Sequence, residues 1–277
     1  MVLPGIAAGN TAAYAETGIG AYRPMQVTPL MFVIVCPMLF LAGLVDAIGG
    51  GGGLISLPAY LFAGLPVHTA IATNKLTSSC GTALATGRFI RRGLVNFRLA
   101  VPSVVAAVLG SSLGAKLSLA VSEDVMRYIL LAVLPAAAFI VLNRKLFRND
   151  GKHLAVADRR TLFICIAAAF VIGIYDGFYG PGTGTFLIIA FTVLARMTVE
   201  SANAQAKVIN LTTNITSLTV FLLNGQVLLP LGQAGALCNM AGNWIGSGLA
   251  ITKGTKIVRP VILLVLLLLL AKILFNF

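Results

Sequence analysis

Four ionisable residues recur in matching order inside apolar stretches of this 277-residue chain and could do chemistry there: Asp46, Lys75, Asp176 and Lys207. A charge held in hydrocarbon costs roughly 2.5–3.5 kcal/mol on insertion scales, so such residues usually serve a purpose. Around Lys207 the polar residues Asn203, Asn210, Asn214 and Ser217 recur every three or four positions. That spacing puts them on one face of a helix. The equivalent face around Lys75 carries Ser78 and Thr82, with Asn74 and Thr77 beside it. Two polar stripes with one positive charge each predict a common cavity suited to a small anion. The plainer alternative is that each lysine snorkels to a headgroup layer. The hydroxyls and amides beyond each lysine favour the cavity.

Glycine-rich breaks add a second source of positive potential. Gly49 to Gly53 precede Leu54, and Gly180, Pro181, Gly182, Thr183 and Gly184 precede Thr185. An unwound turn running into a new helix start presents free N–H groups and a positive dipole end, which favour anions. Gly50, Gly51, Gly52 and Gly53, with Gly182, Thr183 and Gly184, are therefore expected at the binding site. The alternative for these glycines is close helix crossing or hinge motion. Asp46 and Asp176 stand just before the breaks. They are candidates to relay a proton, bind Na⁺, neutralise the lysines or cap unwound backbone, and spacing alone leaves all four roles open. No Ser/His/Asp set, metal cluster or phosphate loop is visible, so neither an enzyme nor a bound cofactor is expected. Cys36, Cys80, Cys165 and Cys238 are scattered through apolar runs and read as packing residues.

These residues need a scaffold that buries them in lipid. The chain is 58% hydrophobic and only 10% charged, with a mean hydropathy of +0.96. Its repeated long apolar runs can cross a bilayer only as helices, so the fold class is all-α integral membrane. Laying the chain over itself at an offset of 130 to 132 residues pairs Gly43, Asp46, Gly50 and Gly52 with Gly173, Asp176, Gly180 and Gly182. It also pairs Lys75, Gly93, Gly110 and Gly114 with Lys207, Gly225, Gly242 and Gly246. Two tandem repeats follow, an arrangement common among secondary transporters. Each opens with a helical hairpin broken at its glycines and continues with three transmembrane helices, at about 68–88, 99–119 and 125–143, then 202–223, 228–250 and 258–276. The small-xxx-small steps Gly110/Gly114 and Gly242/Gly246 read as close-packing sites.

Thirteen of the twenty basic residues fall in three short links, near 88–98, 144–160 and 252–259. Nucleic acid is excluded as a partner, because a continuous basic face with aromatic platforms is missing. Short basic links mark the cytoplasmic side. If each broken stretch turns back to the side it came from, all three links share that side and the repeats are inverted. The expected organisation is an extramembrane extension at 1–28, repeats at 29–145 and 161–277, and a basic cytoplasmic linker at 146–160.

The motif from Gly43 through Asp46 and Gly49 to Gly53 to Pro58 resembles the opening of the sulfite exporter TauE/SafE family. Ala72-Thr-Asn-Lys75 and the Gly173 to Gly182 segment are similar to that family too, and the resemblance runs from about residue 30 to the C-terminus. It implies a multi-pass permease of the bacterial inner membrane for sulfite or sulfonates such as sulfoacetate. The second copy departs from the first, with Ala206 where Asn74 precedes the lysine. The expected function is secondary transport of such an anion by alternating access, with Asp46 or Asp176 as a coupling site. A passive anion channel, an intramembrane enzyme and a receptor or scaffold are the alternatives. The expected partners are a small anion and the lipid bilayer; a homodimer suits a chain of this size, though no residue demonstrates one.

Overall fold

The computed structural model describes residues 14–17, 21–24, 27–122, 125, 158–254, 256–257 and 260–261. Apart from residues 125 and 260–261, the spans expected at 125–143 and 258–276, with residues 146–157 of the expected linker, lie outside the described residues. Two short antiparallel strands, β1 (Tyr14–Thr17) and β2 (Ala21–Pro24), come first. Eight helices follow among the described residues. The first four are α1 (Pro29–Gly49), α2 (Gly53–Phe62), α3 (Val67–Arg91) and α4 (Phe97–Ala120). The next four are α5 (Arg159–Phe178), α6 (Thr183–Val193), α7 (Val199–Leu223) and α8 (Leu229–Lys253).

Four of these, α1, α4, α5 and α7, are long and apolar enough to cross a membrane. Helices α3 and α8 match them in length at 25 residues each. Their polar residues, among them Asn74 and Lys75 on α3 and Asn239 and Asn243 on α8, are buried. The two helices therefore read as less apolar than they are towards lipid. The distribution of side chains across α4 makes the environment plain. Val101, Val105, Leu109, Leu113 and Leu117 form an exposed stripe, while Ser103, Gly110, Ser111, Gly114 and Ser118 are buried. Large apolar groups outside and small or polar groups inside suit hydrocarbon as the solvent, where helix association relies on close backbone approach.

Helices α2 and α6 have 10 and 11 residues, too few to cross. Both double back. Gly52 lies against the Ala42 carbonyl and the Asp46 Cβ, and Tyr60 meets Leu39 above Gly235. In the second hairpin the Phe186 ring contacts the Tyr175 ring edge-on, with centroids 5.5 Å apart. Gly50 ends α1 at φ 77° and Gly182 starts α6 at φ 85°. Both angles lie in the left-handed region that glycine alone adopts without strain, which lets the chain reverse there.

Register contacts fix the helix directions. Phe40 and Leu44 of α1 face Gly242 and Gly246 of α8, and Phe170 and Ile174 of α5 face Gly110 and Gly114 of α4, so each pair is parallel. Helix α3 also runs parallel to α8, with Thr73 near Gly232 and Arg88 near Gly248. It runs antiparallel to α7: Thr86 Oγ1 donates to the Lys207 carbonyl at 3.2 Å, and the Leu228 N–H donates to Thr73 Oγ1 at 3.0 Å. Helices α4 and α7 begin at the same end, where Gln205 Nε2 donates to the Asn96 carbonyl at 2.8 Å. Thus α1, α3 and α8 run one way, and α4, α5 and α7 the other. One end of the bundle carries Arg91, Arg92, Arg98, Arg159, Arg160, Arg196 and Lys253. At the other end, the links 63–66, 121–122 and 224–228 hold no charged residue among the described positions. Asp158 caps α5 at the basic end, its Oδ1 accepting from the Thr161 N–H at 2.8 Å. Hydrogen bonds from Thr161 hold that carboxyl below the usual aspartate range.

Candidate functional site

The two hairpin tips meet. The Thr185 N–H donates to the Gly50 carbonyl at 3.3 Å, and Thr185 Oγ1 donates to the Gly49 carbonyl at 2.6 Å. Gly53 packs against Pro181, and Gly50 against Gly184 with no room for a side chain. Unwound backbone is tolerated at this depth because each tip satisfies part of the other.

The four embedded charges converge on these tips and pair crosswise. Lys75 Nζ lies 2.8 Å from Asp176 Oδ2, and Lys207 Nζ lies 2.7 Å from Asp46 Oδ2. Each lysine comes from the long helix after one hairpin, and each aspartate from the tip of the other hairpin. Both lysines are 1% exposed. A buried pair recovers its desolvation cost only with good geometry and further hydrogen bonds. Asp176 has one such bond: its Oδ1 accepts from Thr183 Oγ1 at 2.7 Å. Asp46 Oδ2 also accepts from Thr82 Oγ1 at 3.4 Å, and Lys207 Nζ donates a second bond to the Asp46 backbone carbonyl. Of the four roles open to the aspartates, these contacts place both where they neutralise a lysine.

A small cavity lies between the tips and the polar faces of α3 and α7. It brings together Gly50, Gly53, Asn74, Lys75, Ser78, Gly182, Thr183, Gly184, Asn210 and Asn214, with Asp46 and Asp176. Five expected site residues lie off its wall. Gly51 and Gly52 form the turn into α2 behind it, and Thr82 is committed to Asp46. Asn203 donates its amide to the Ala47 and Ile48 carbonyls at 3.3 and 3.1 Å, which ties off the end of α1. Lys207 is held at Asp46. Gly180 joins the wall although spacing did not single it out; its signal was the offset that pairs it with Gly50. Thr185 was read only as the first residue past the break, since spacing does not show that its hydroxyl reaches the other hairpin tip. Asn74 Oδ1 is buried without a hydrogen-bond partner, and Asn214 Nδ2 is spent on the Asn210 carbonyl and Oδ1 at 2.8 and 3.1 Å. The space open to a water centre is about 20 Å³, room for about one water molecule. A polyatomic anion enters only if the walls part. Among the described residues, no group of His, Cys, Asp and Glu is placed to hold a metal ion.

A small polar chamber amid lipid-facing helices, formed where two broken hairpins meet, fits the class of multi-pass membrane transporters. The chain belongs to the sulfite exporter TauE/SafE family, whose profile matches residues 35–273. It is 36% identical over 252 residues to the probable membrane transporter protein YfcA of Escherichia coli K12, covering 91% of this chain and 92% of that protein. It is 37% identical over 227 residues to the probable membrane transporter protein ORF9 of a Sinorhizobium species, covering 82% and 85%. A probable membrane transporter protein of Haemophilus influenzae is 33% identical over 251 residues, covering 89% and 95%. No solved structure matches the chain significantly. Family and relatives are transporters rather than enzymes, and a bacterial inner-membrane location agrees with the apolar helices.

Proposed function

We propose that the chain is a secondary transporter that moves a small sulfur oxyanion, sulfite or an organosulfonate such as sulfoacetate, by alternating access. The observation that carries this reading is the small polar chamber at two touching hairpin tips, latched by charge pairs that cross from one half to the other. Sliding one half against the other must break those pairs, and an anion that replaces a carboxylate on a lysine supplies the differential contact such a shift needs. The family's description supplies the sulfur chemistry. A standing channel fits less well, because the chamber has room for about one water.

The two halves are read as tandem inverted repeats, 29–145 and 161–277, joined by a cytoplasmic linker at 146–160. Helix lengths of 21, 10, 25 and 24 residues in the first half and 20, 11, 25 and 25 in the second support this. So do the matched contacts of Phe40 with Gly242 and Phe170 with Gly110. The basic end is the cytoplasmic one. Gly93 and Gly225 both sit in open space at φ 68°, so a cysteine reporter at either meets no neighbour and carries only the backbone cost of about 1–2 kcal/mol. In whole cells an impermeant maleimide is expected to label Gly225→Cys and to reach Gly93→Cys only after permeabilisation; the reverse pattern would invert the topology.

The functional test is counterflow of labelled sulfite and small sulfonates in proteoliposomes. Wild type should exchange label against its own substrate in a saturable way, and Lys75→Ala and Lys207→Ala should each abolish exchange. Flux that persists in both folded variants would remove the lysines from the transport site.

A further inference from the structure

The two crossed pairs are related in sequence but unequal in surroundings. Lys75 and Asp176 both line the chamber, whereas of the second pair only Asp46 does. Lys207 sits behind it, giving one bond to the Asp46 carboxylate and one to the Asp46 backbone carbonyl. The second bond goes to a carbonyl that also accepts the closing bond of α1 from the Gly50 N–H at 2.8 Å, so this lysine is fastened to the last turn of the helix as well as to its carboxylate. The Asp46 carboxylate has two donors on one oxygen, from Lys207 and Thr82. The Asp176 Oδ2 atom has the Lys75 ammonium, 2.8 Å away, and no further hydrogen-bond partner. Lys75 Nζ in turn stands close to Gly180, at the tip that opens the second hairpin.

The chamber wall therefore presents two carboxylates to one ammonium. Lys207 behind Asp46 brings the four charges to zero, so an anion placed there meets no net positive charge, and the ammonium on the wall already holds Asp176. Building on the proposed anion transport, we infer that the pairs divide the work: Lys75 and Asp176 form the exchange pair, and Lys207 and Asp46 form a fixed strut. The anion takes the Lys75 ammonium, and the displaced Asp176 carboxylate binds one proton from water. Anion and proton then cross together, and the proton leaves when the carboxylate returns to Lys75. Thr183 follows the change without moving far: its one hydroxyl proton, given to Asp176 in the paired state, can turn to the Gly180 carbonyl 2.7 Å away while its oxygen accepts from a protonated Asp176. The groups facing Asp176 are few. Helix α1 contributes Asp46, α3 contributes Lys75, α5 itself contributes Tyr175 and Tyr179, and Lys207 of α7 stands beyond Asp46. Helix α6 has no titratable residue, and the Arg98 and Lys116 of α4 lie towards its ends.

Proton counting tests this directly. Sulfoacetate, fully ionised near neutral pH, is titrated into the purified full-length protein in buffers of different ionisation enthalpy. Wild type is expected to take up about one proton per anion bound, since binding and protonation are reciprocally linked. Asp176→Asn should bind the anion with a proton count near zero, while Asp46→Asn keeps the wild-type count. The wild-type count alone decides the coupling if a variant does not fold. Anion binding without proton uptake in wild type overturns the inference and leaves the transport reading standing. A count lost in Asp46→Asn but kept in Asp176→Asn overturns the division of labour. Failure of wild type to bind sulfite or any sulfonate overturns both readings.

Discussion

Lys75→Ala is expected to abolish anion flux and to destabilise the protein by about 3–5 kcal/mol, the usual loss when one member of a buried pair is removed. The loss arises because the Asp176 carboxyl is left beneath 2% side-chain exposure without the ammonium that pairs with it. Lys207→Ala should cost less, because the Asp46 side chain is 12% exposed and keeps Thr82. Removing both charges separates fold from function. Lys75→Met with Asp176→Leu fills similar volume without stranding a charge, so it should regain most of the thermal midpoint and none of the flux. A double variant that transports would show that the pair serves stability alone. A single Lys75→Ala variant as stable as wild type would show that water reaches the pair freely.

Gly50→Ala is expected to be as damaging, for a different reason. The residue holds φ 77°, and a Cβ there would run into the backbone of Gly184 and Thr185. The left-handed conformation costs an alanine about 1–2 kcal/mol, and the collision forces the two tips apart. With the tips parted, the Thr185 bonds to Gly49 and Gly50 and the register of both charge pairs are lost together. Gly64→Ala serves as the internal comparison. It has φ 89° but nothing near its Cβ position, so it should show the conformational cost without the collision. Flux near zero for Gly50→Ala and near wild type for Gly64→Ala is the expected result. Equal behaviour of the two would assign the effect to backbone strain alone, with no role for tip contact.

Much of this was legible in the residues themselves. Asp46 and Asp176, like Lys75 and Lys207, announce themselves because charges stand out in apolar sequence and recur in the same order. The hairpin reversals follow from runs of glycine that no long helix accommodates, and the helices turn back where those runs lie. Helix spacing shows which residues share a face, yet it cannot show what stands opposite. That is why Asn203, on the same stripe as Lys207, was expected at the site and instead ties down the end of α1. The crosswise choice of partner was hidden for the same reason: each aspartate is nearer in sequence to the lysine of its own half. Asn239 and Asn243 carried a weak signal, two amides four residues apart in an apolar span. Asn239 hydrogen-bonds the Leu39 carbonyl, which fixes α8 on α1.

The crossed architecture also bears on how such a chain is made. Helix α1 packs along α8, and Asp46 waits for a lysine 161 residues further on. A ribosome delivers these segments to the membrane in order, so the first hairpin is inserted with its carboxylate unmatched until α7 has arrived. Nascent α1 and α2 must therefore be sheltered, by the insertion machinery or by remaining near the interface, for most of synthesis. Each half of the chain holds the counterion for the other. Quality control then has a simple mark to recognise: a truncated product exposes an unneutralised charge to lipid.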